Sequence, residues 1–268
     1  MKPYKIPGLL AAIVLTMLAC SLIPSDISLP DASSEDATAT PFQEPTATMT
    51  EESLPAGPCD NPLFPVRLGA TWEYHIISDI PDTFTRRIVE VSATGFTEQD
   101  VFQSGVTRTG QWACSEGNLI MLIPSGGGFA SSVSGDNIDA QFITSGFEGI
   151  TLPVEIRTGD SWTFRLVYEG EIRIGEIRSP GKNEMTLNCQ AGQVETITVP
   201  AGTFQARRIT CETIMNVTIT YLPDQPPMTL SFTSIDDSWM AEGVGLVKSV
   251  STTEGMTATT ELLSYSIP

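Results

Sequence analysis

Five cysteines, one histidine and 32 acidic residues are the groups this sequence offers to chemistry. The histidine, His75, alternates with Glu73 and Ile77 on the face opposite Trp72 in "TWEYHI", and no G-x-S-x-G elbow exists for it to serve, so it reads as an exposed strand residue. "PSGGGFASSVSGD", Pro124 to Asp136, is rich in glycine and serine but lacks the G-K-[ST] ending of a phosphate-binding loop. Asp136, Asn137 and Asp139 could supply oxygen ligands, yet no glutamate follows at the spacing of an EF-hand loop. Asp236 and Asp237 are adjacent, so on a strand they point to opposite faces and make a poor acid–base pair. Zinc is disfavoured by a single histidine and the absence of any C-x-x-C spacing. No catalytic, cofactor-binding or metal-binding residue is assigned on this basis.

The cysteines are more informative. Lys2 and Lys5 precede the apolar run Gly8 to Met17, which at about ten residues is too short to span a bilayer that needs about twenty. Residues 1–20 therefore read as a signal peptide. The run closes on "MLAC", which resembles the bacterial lipobox, with Met17 where that motif usually has leucine. Cys20 is accordingly expected to be the acylated N-terminus of the mature chain, and the lipid bilayer its first partner. Two or three acyl chains anchor stably where one does not. The other four, Cys59, Cys114, Cys189 and Cys211, form an even set in an exported domain. Of three possible connectivities we prefer Cys59–Cys114, which would tie the domain's beginning to an early strand, and Cys189–Cys211, which flank an apparent hairpin.

Between the anchor and the domain, residues 21–56 carry seven acidic residues, no basic one and no sustained apolar period. Such a chain cannot offset its ordering entropy by burial and is expected to be an extended, self-repelling tether. Residues 57–268 are long enough for one sizeable β domain. Of the net charge of −18, the tether holds −7 and the domain −13. Phosphate backbones need basic contacts, so nucleic acid is not an expected partner. Anionic headgroups are disfavoured for the same reason.

The elements that must position these groups repeat every two residues. In "SWTFRLVY", Trp162, Phe164, Leu166 and Tyr168 share one face and Ser161, Thr163 and Arg165 the other. Trp72, Tyr74 and Ile76 alternate in the same way, as do Val217, Ile219 and Tyr221, and Leu230 and Phe232. With frequent Gly, Pro and Asp between such runs, the fold class is all-β and largely antiparallel. "FPVRLGATWEY" and "LPVEIRTGDSWTF" echo one another, each placing a tryptophan three residues after a glycine, Gly69 or Gly159. Either a duplication or a common turn-to-strand device would give this echo. In "VPAGTF", Pro200 to Thr203 should form a tight turn between Glu195–Val199 and Phe204–Cys211. In "EGVGLVKS", Gly243 and Gly245 suit a bulge or a close crossing of backbones. Trp72, Trp162 and Trp239 are expected to be buried, strand-opening anchors.

"NPLFPVRLGATWEY", "VPAGTFQARRI" and "WMAEGVGLVKS", in that order, resemble signatures of bacterial exported proteins and lipoproteins related to the DUF3108 and TapB-like families, over essentially all of residues 59–268. The resemblance implies an open or half barrel like that of lipoprotein carriers such as LolA, and implies no activity. The expected function is a membrane-anchored surface lipoprotein, a noncatalytic module that binds an apolar ligand or supports an envelope protein assembly. The alternative is an extracytoplasmic hydrolase of polysaccharide or peptide, in which two of the domain's 25 acidic residues converge.

Overall fold

The computed structural model describes residues 59–125, 132–135, 138–174, 176–219 and 226–268. Chain contacts divide into Met1–Leu54 and Pro55–Pro268. The signal peptide, Cys20 and the tether lie outside the described residues, as does most of the loop from Pro124 to Asp136.

Among the described residues thirteen strands follow one another: β1 (Thr71–Ile77), β2 (Asp82–Val91), β3 (Gly95–Phe102), β4 (Thr107–Ser115), β5 (Asn118–Ile123), β6 (Ser132–Gly135), β7 (Ile138–Gly149), β8 (Ser161–Ile174), β9 (Ile177–Val199), β10 (Gly202–Ile219), β11 (Met228–Ala241), β12 (Gly245–Thr253) and β13 (Met256–Ser266). All pairings are antiparallel, and no helix occurs among the described residues. Pairing of β1 with β13 and of β3 with β4 bends the sheet back on itself into a nearly closed, twelve-stranded barrel, with β5 outside the ring. The seam is narrow. Among the described residues, β4 meets β6 on its second edge through Thr107–Ser134 and Arg108–Val133, while its other half, Gln111–Ser115, is taken by β5.

The inner face is filled as the alternation predicts. Trp72 and Tyr74 of β1 and Phe164, Leu166 and Tyr168 of β8 are buried. Two apolar clusters result. Phe64, Phe96 and Trp112 meet in one, the last two stacked at 5.7 Å, and Tyr74, Phe84 and Phe102 continue it as a ladder of rings about 5 Å apart. The other gathers Phe142, Phe164, Leu166, Tyr168, Met185 and Met215 beneath β7–β10.

One end of the barrel is capped by the segment that leads into β1. Asn61 ties three loops together: its amide donates to the carbonyls of Gly117 (3.0 Å) and Pro153 (3.2 Å), and its side-chain oxygen accepts from the Leu63 amide (3.0 Å). Gly117, at φ 80°, must be glycine, since a Cβ would stand 2.6 Å from Val154 Cγ2. From β11–β12, Gly243 donates to the Pro62 carbonyl (2.9 Å), while Trp72 Nε1 donates to Val244 (2.7 Å) and the Tyr74 hydroxyl to Leu246 (2.9 Å).

The sequence echo is a geometric one. Gly69 donates to Ile88 and receives Ile88 back through Ala70; Gly159 donates to Ala191 and receives it back through Asp160. Both glycines have positive φ, 83° and 94°. Trp72 faces Arg86, which faces Asp100; Trp162 faces Cys189, which faces Cys211. Around the ring, β1–β4, β6 and β7 meet the same succession of neighbours as β8–β13, with β5 the extra strand.

Four expectations need correction. The turn after Val199 contains only Pro200 and Ala201; Gly202, at φ 140°, already pairs with Val199. The flanking strands run far beyond Glu195 and Cys211, because polar side chains on their outer faces interrupt the apolar run without interrupting the ladder. Trp239 shares its face with Asp237 and the exposed Ile235, so it lies half-buried on the outside of the barrel, and Trp162 is likewise only half-buried. His75 does face outward, but it is half-buried and stands 3.6 Å from Glu261.

Candidate functional site

Glu98 and Asp100, two residues apart on β3, are the described carboxylates that the barrel encloses most completely, at 1% and 2% exposure. Arg86 on β2 makes a bidentate pair with Asp100, both contacts 2.8 Å, and its Nε stands 3.4 Å from Glu98 Oε2. Glu98 Oε1 accepts from Ser125 Oγ (2.6 Å) and Trp112 Nε1 (3.0 Å). Gly110 opposite leaves the space this carboxylate fills, since a Cβ there would meet Oε1 at 2.7 Å. Burial opposes the charge of Arg86, but Asp100 and Glu98 outweigh it and hold the guanidinium ionised. Arg108, whose guanidinium lies 4.5 Å above the Phe102 ring, has its pKa lowered by burial, partly offset by Asp100 and Asp82. Burial also raises the neighbouring Tyr74 phenol. The pairing of carboxylates that a hydrolase would need is therefore present and closed to solvent: Asp100 and Glu98 Oε1 are bonded to protein groups, while Glu98 Oε2 has the Arg86 charge beside it and no hydrogen-bond partner among the described residues. The sequence signal for it is "TEQDVF", whose i, i+2 acids share a face, but the partner Arg86 is fixed only by strand register.

The adjacent acids of β11 separate as expected. Asp236 faces inward and accepts from the hydroxyls of Thr213 (2.9 Å) and Ser234 (2.8 Å). Asp237 faces outward and takes both arms of Arg208, at 3.0 and 2.8 Å, which together with the Thr210 hydroxyl keeps its pKa below the ordinary aspartate value. Arg208 also covers the Trp239 ring at 5.5 Å, and Trp239 Nε1 donates to Glu195. Of the proposed oxygen ligands, Asp136 and Asn137 lie outside the described residues, and Asp139 stands 3.8 Å from Arg173. Cys59 and Cys114 sulfurs are 2.04 Å apart and those of Cys189 and Cys211 2.09 Å apart, the same two pairs preferred from the sequence.

A concavity of about 440 Å³ opens at the capped end. Leu63 comes to it from the first sequence signature, Thr203, Phe204, Gln205 and Arg207 from the second, and Met240, Ala241, Glu242 and Val244 from the third; Val194 completes the rim. Three segments up to 181 residues apart (Leu63 to Val244) converge here because the cap and the two hairpin ends build on one another. Volumes of this size are usual for small-molecule sites. Within its lining, Arg207 is the cation and Glu242 the anion.

No curated protein matches this chain. Two solved structures do. One, from Bacteroides fragilis, is called a "putative exported protein with YmcC-like fold"; it is 15% identical, with a TM-score of 0.48 over 76% of this chain and 98% of its own. The other, called a "putative lipoprotein", comes from Parabacteroides distasonis; it is 17% identical, with a TM-score of 0.47 over 77% of this chain and 99% of its own. The DUF3108-like family model matches residues 107–266, which takes in the second and third signatures and leaves the first outside. Since that match covers more than half of the sequence, the chain belongs to the DUF3108-like family.

Proposed function

We propose that this protein is an exported lipoprotein, acylated at Cys20, whose β domain is a noncatalytic binding or envelope-assembly module held from the membrane by the tether 21–56. The observation that carries the reading is the convergence of three separated signature segments on one cap pocket. Sequence supports the anchoring: a short apolar run, a lipobox-like ending and an acidic linker with no core of its own. The hydrolase alternative draws no support from the best-enclosed carboxylates, since Asp100 is paired with Arg86 and both it and Glu98 are closed to solvent.

Anchoring is tested by fractionation. Cys20→Ala, or inhibition of the lipoprotein signal peptidase in the parent, should move the protein from the membrane to the soluble exported fraction, because acyl chains supply the strong membrane affinity. A signal-cleaved Cys20→Ala protein that stays with washed membranes at high salt would overturn this reading.

A further inference from the structure

Arg207 stands out among the arginines of the domain. Arg67, Arg86 and Arg208 each lie against a carboxylate, Asp60 at 3.3 Å, Asp100 at 2.8 Å and Asp237 at 2.8 Å respectively. Arg207 is also half-buried, yet its Nη1 donates to two neutral acceptors, the Gly192 carbonyl (3.0 Å) and the Thr158 hydroxyl (3.2 Å). It sits at a register shift: β10 pairs Arg207 with Val194 and then Ile209 with Ala191, so β9 carries an extra residue, Gly192 and Gln193 opposing Arg208, and bulges beside it. In a chain of net charge −18, a guanidinium that meets no carboxylate among the described residues is placed beside an apolar wall of Leu63, Phe204, Met240 and Val244. Glu242, on the same rim, is exposed and solvated.

Each half of that arrangement asks for a different complement. A partly desolvated guanidinium gains most from an anion that it can bond with charge assistance. The wall gains from hydrocarbon removed from water. We propose that the cap pocket binds a free single-chain amphiphile with an anionic head, the head on Arg207 and the chain across Phe204, Met240 and Val244. The proposal deepens the binding-module reading and rests on it. The ten lining residues include no second cation that could hold the head elsewhere.

Dodecanoate, its neutral analogue dodecanol and phosphatidylglycerol vesicles are the probes, titrated into the soluble Cys20→Ala chain by calorimetry below the micellar concentration. Dodecanoate should bind saturably and at least about tenfold more tightly than dodecanol, the scale of one charge-assisted hydrogen bond. Arg207→Gln should remove that preference while leaving dodecanol binding unchanged, Arg207→Lys should retain part of it, and Arg87→Gln, at an exposed arginine elsewhere, should do nothing. Melting curves that match the parent establish that the variants fold. Equal affinity for the two probes, parent-like discrimination in Arg207→Gln, or absence of saturable binding overturns the proposal. Arg207-dependent sedimentation with vesicles, without dodecanoate binding, also overturns it by assigning the head to bilayer lipid. Any of these outcomes leaves the fractionation test of Cys20 standing on its own result.

Discussion

Arg86 shows what a buried charge costs when its register partner is removed. With Asp100 and Glu98 at 2% and 1% exposure, Arg86→Met would strand two carboxylates inside the barrel and should destabilise it by about 3–5 kcal/mol in urea melts. Arg86→Met with Asp100→Leu should be less destabilised than the single variant, because one stranded charge goes and apolar volume takes its place. Tryptophans divide by face. Trp72, buried with its Nε1 bonded to Val244, should cost about 3–5 kcal/mol on change to alanine, whereas Trp239, outside and half-covered by Arg208, should cost roughly 1 kcal/mol. Asp237 adds a pH dependence. Its folded-state pKa is depressed, chiefly by the Arg208 hydrogen bonds, so its contribution is present above the unfolded aspartate pKa and is lost as pH falls through the folded value. The stability gap between the parent and Asp237→Asn should accordingly close only on acidification into and below the ordinary aspartate range; a gap that persists unchanged there would contradict the assignment.

At the scale of elements, period-two alternation was enough to orient β1 and β8, where Trp72, Tyr74, Phe164, Leu166 and Tyr168 point inward as read. Trp239, expected as a strand-opening anchor, instead lies near the end of β11 and is half-buried. The adjoining strand inserts Val247 as a bulge, Trp239 facing Lys248 and Met240 facing Leu246, and the tryptophan is left on the outer face although its neighbours Met240 and Ala241 are buried. The lengths of β9 and β10 were equally hidden, since Lys182, Glu184 and Asn188 look like loop residues until strands on both sides supply their backbone partners. The seam between β4 and β6 could not be anticipated at all, because two residue pairs carry no periodic signal. Cysteine spacing was legible: the loops closed are 55 residues for Cys59–Cys114 and 22 for Cys189–Cys211. Chain entropy assigns them about 4 and about 3 kcal/mol. Replacing the first pair by serine should therefore lower stability more than replacing the second, and more than entropy alone gives, since Cys59 also holds the cap that Asn61 organises. Denaturant melts that rank the pairs in the reverse order would refute this.

For the whole molecule, the nearly closed barrel of the β domain packs two apolar clusters, and the concavity built by the three signature segments is at the cap, close in sequence to the tether's root: Leu63 of the pocket follows Cys59 by four residues. The most direct test of an anchored, disulfide-braced binding module is the intact mass of the protein extracted from its own membranes, with and without alkylation. The extracted polypeptide should begin at Cys20, carry the added mass of a diacylglycerol, and take up no alkylating reagent at Cys59, Cys114, Cys189 or Cys211. A chain that begins at another residue, lacks the lipid, or labels at all four of those cysteines would contradict this expectation.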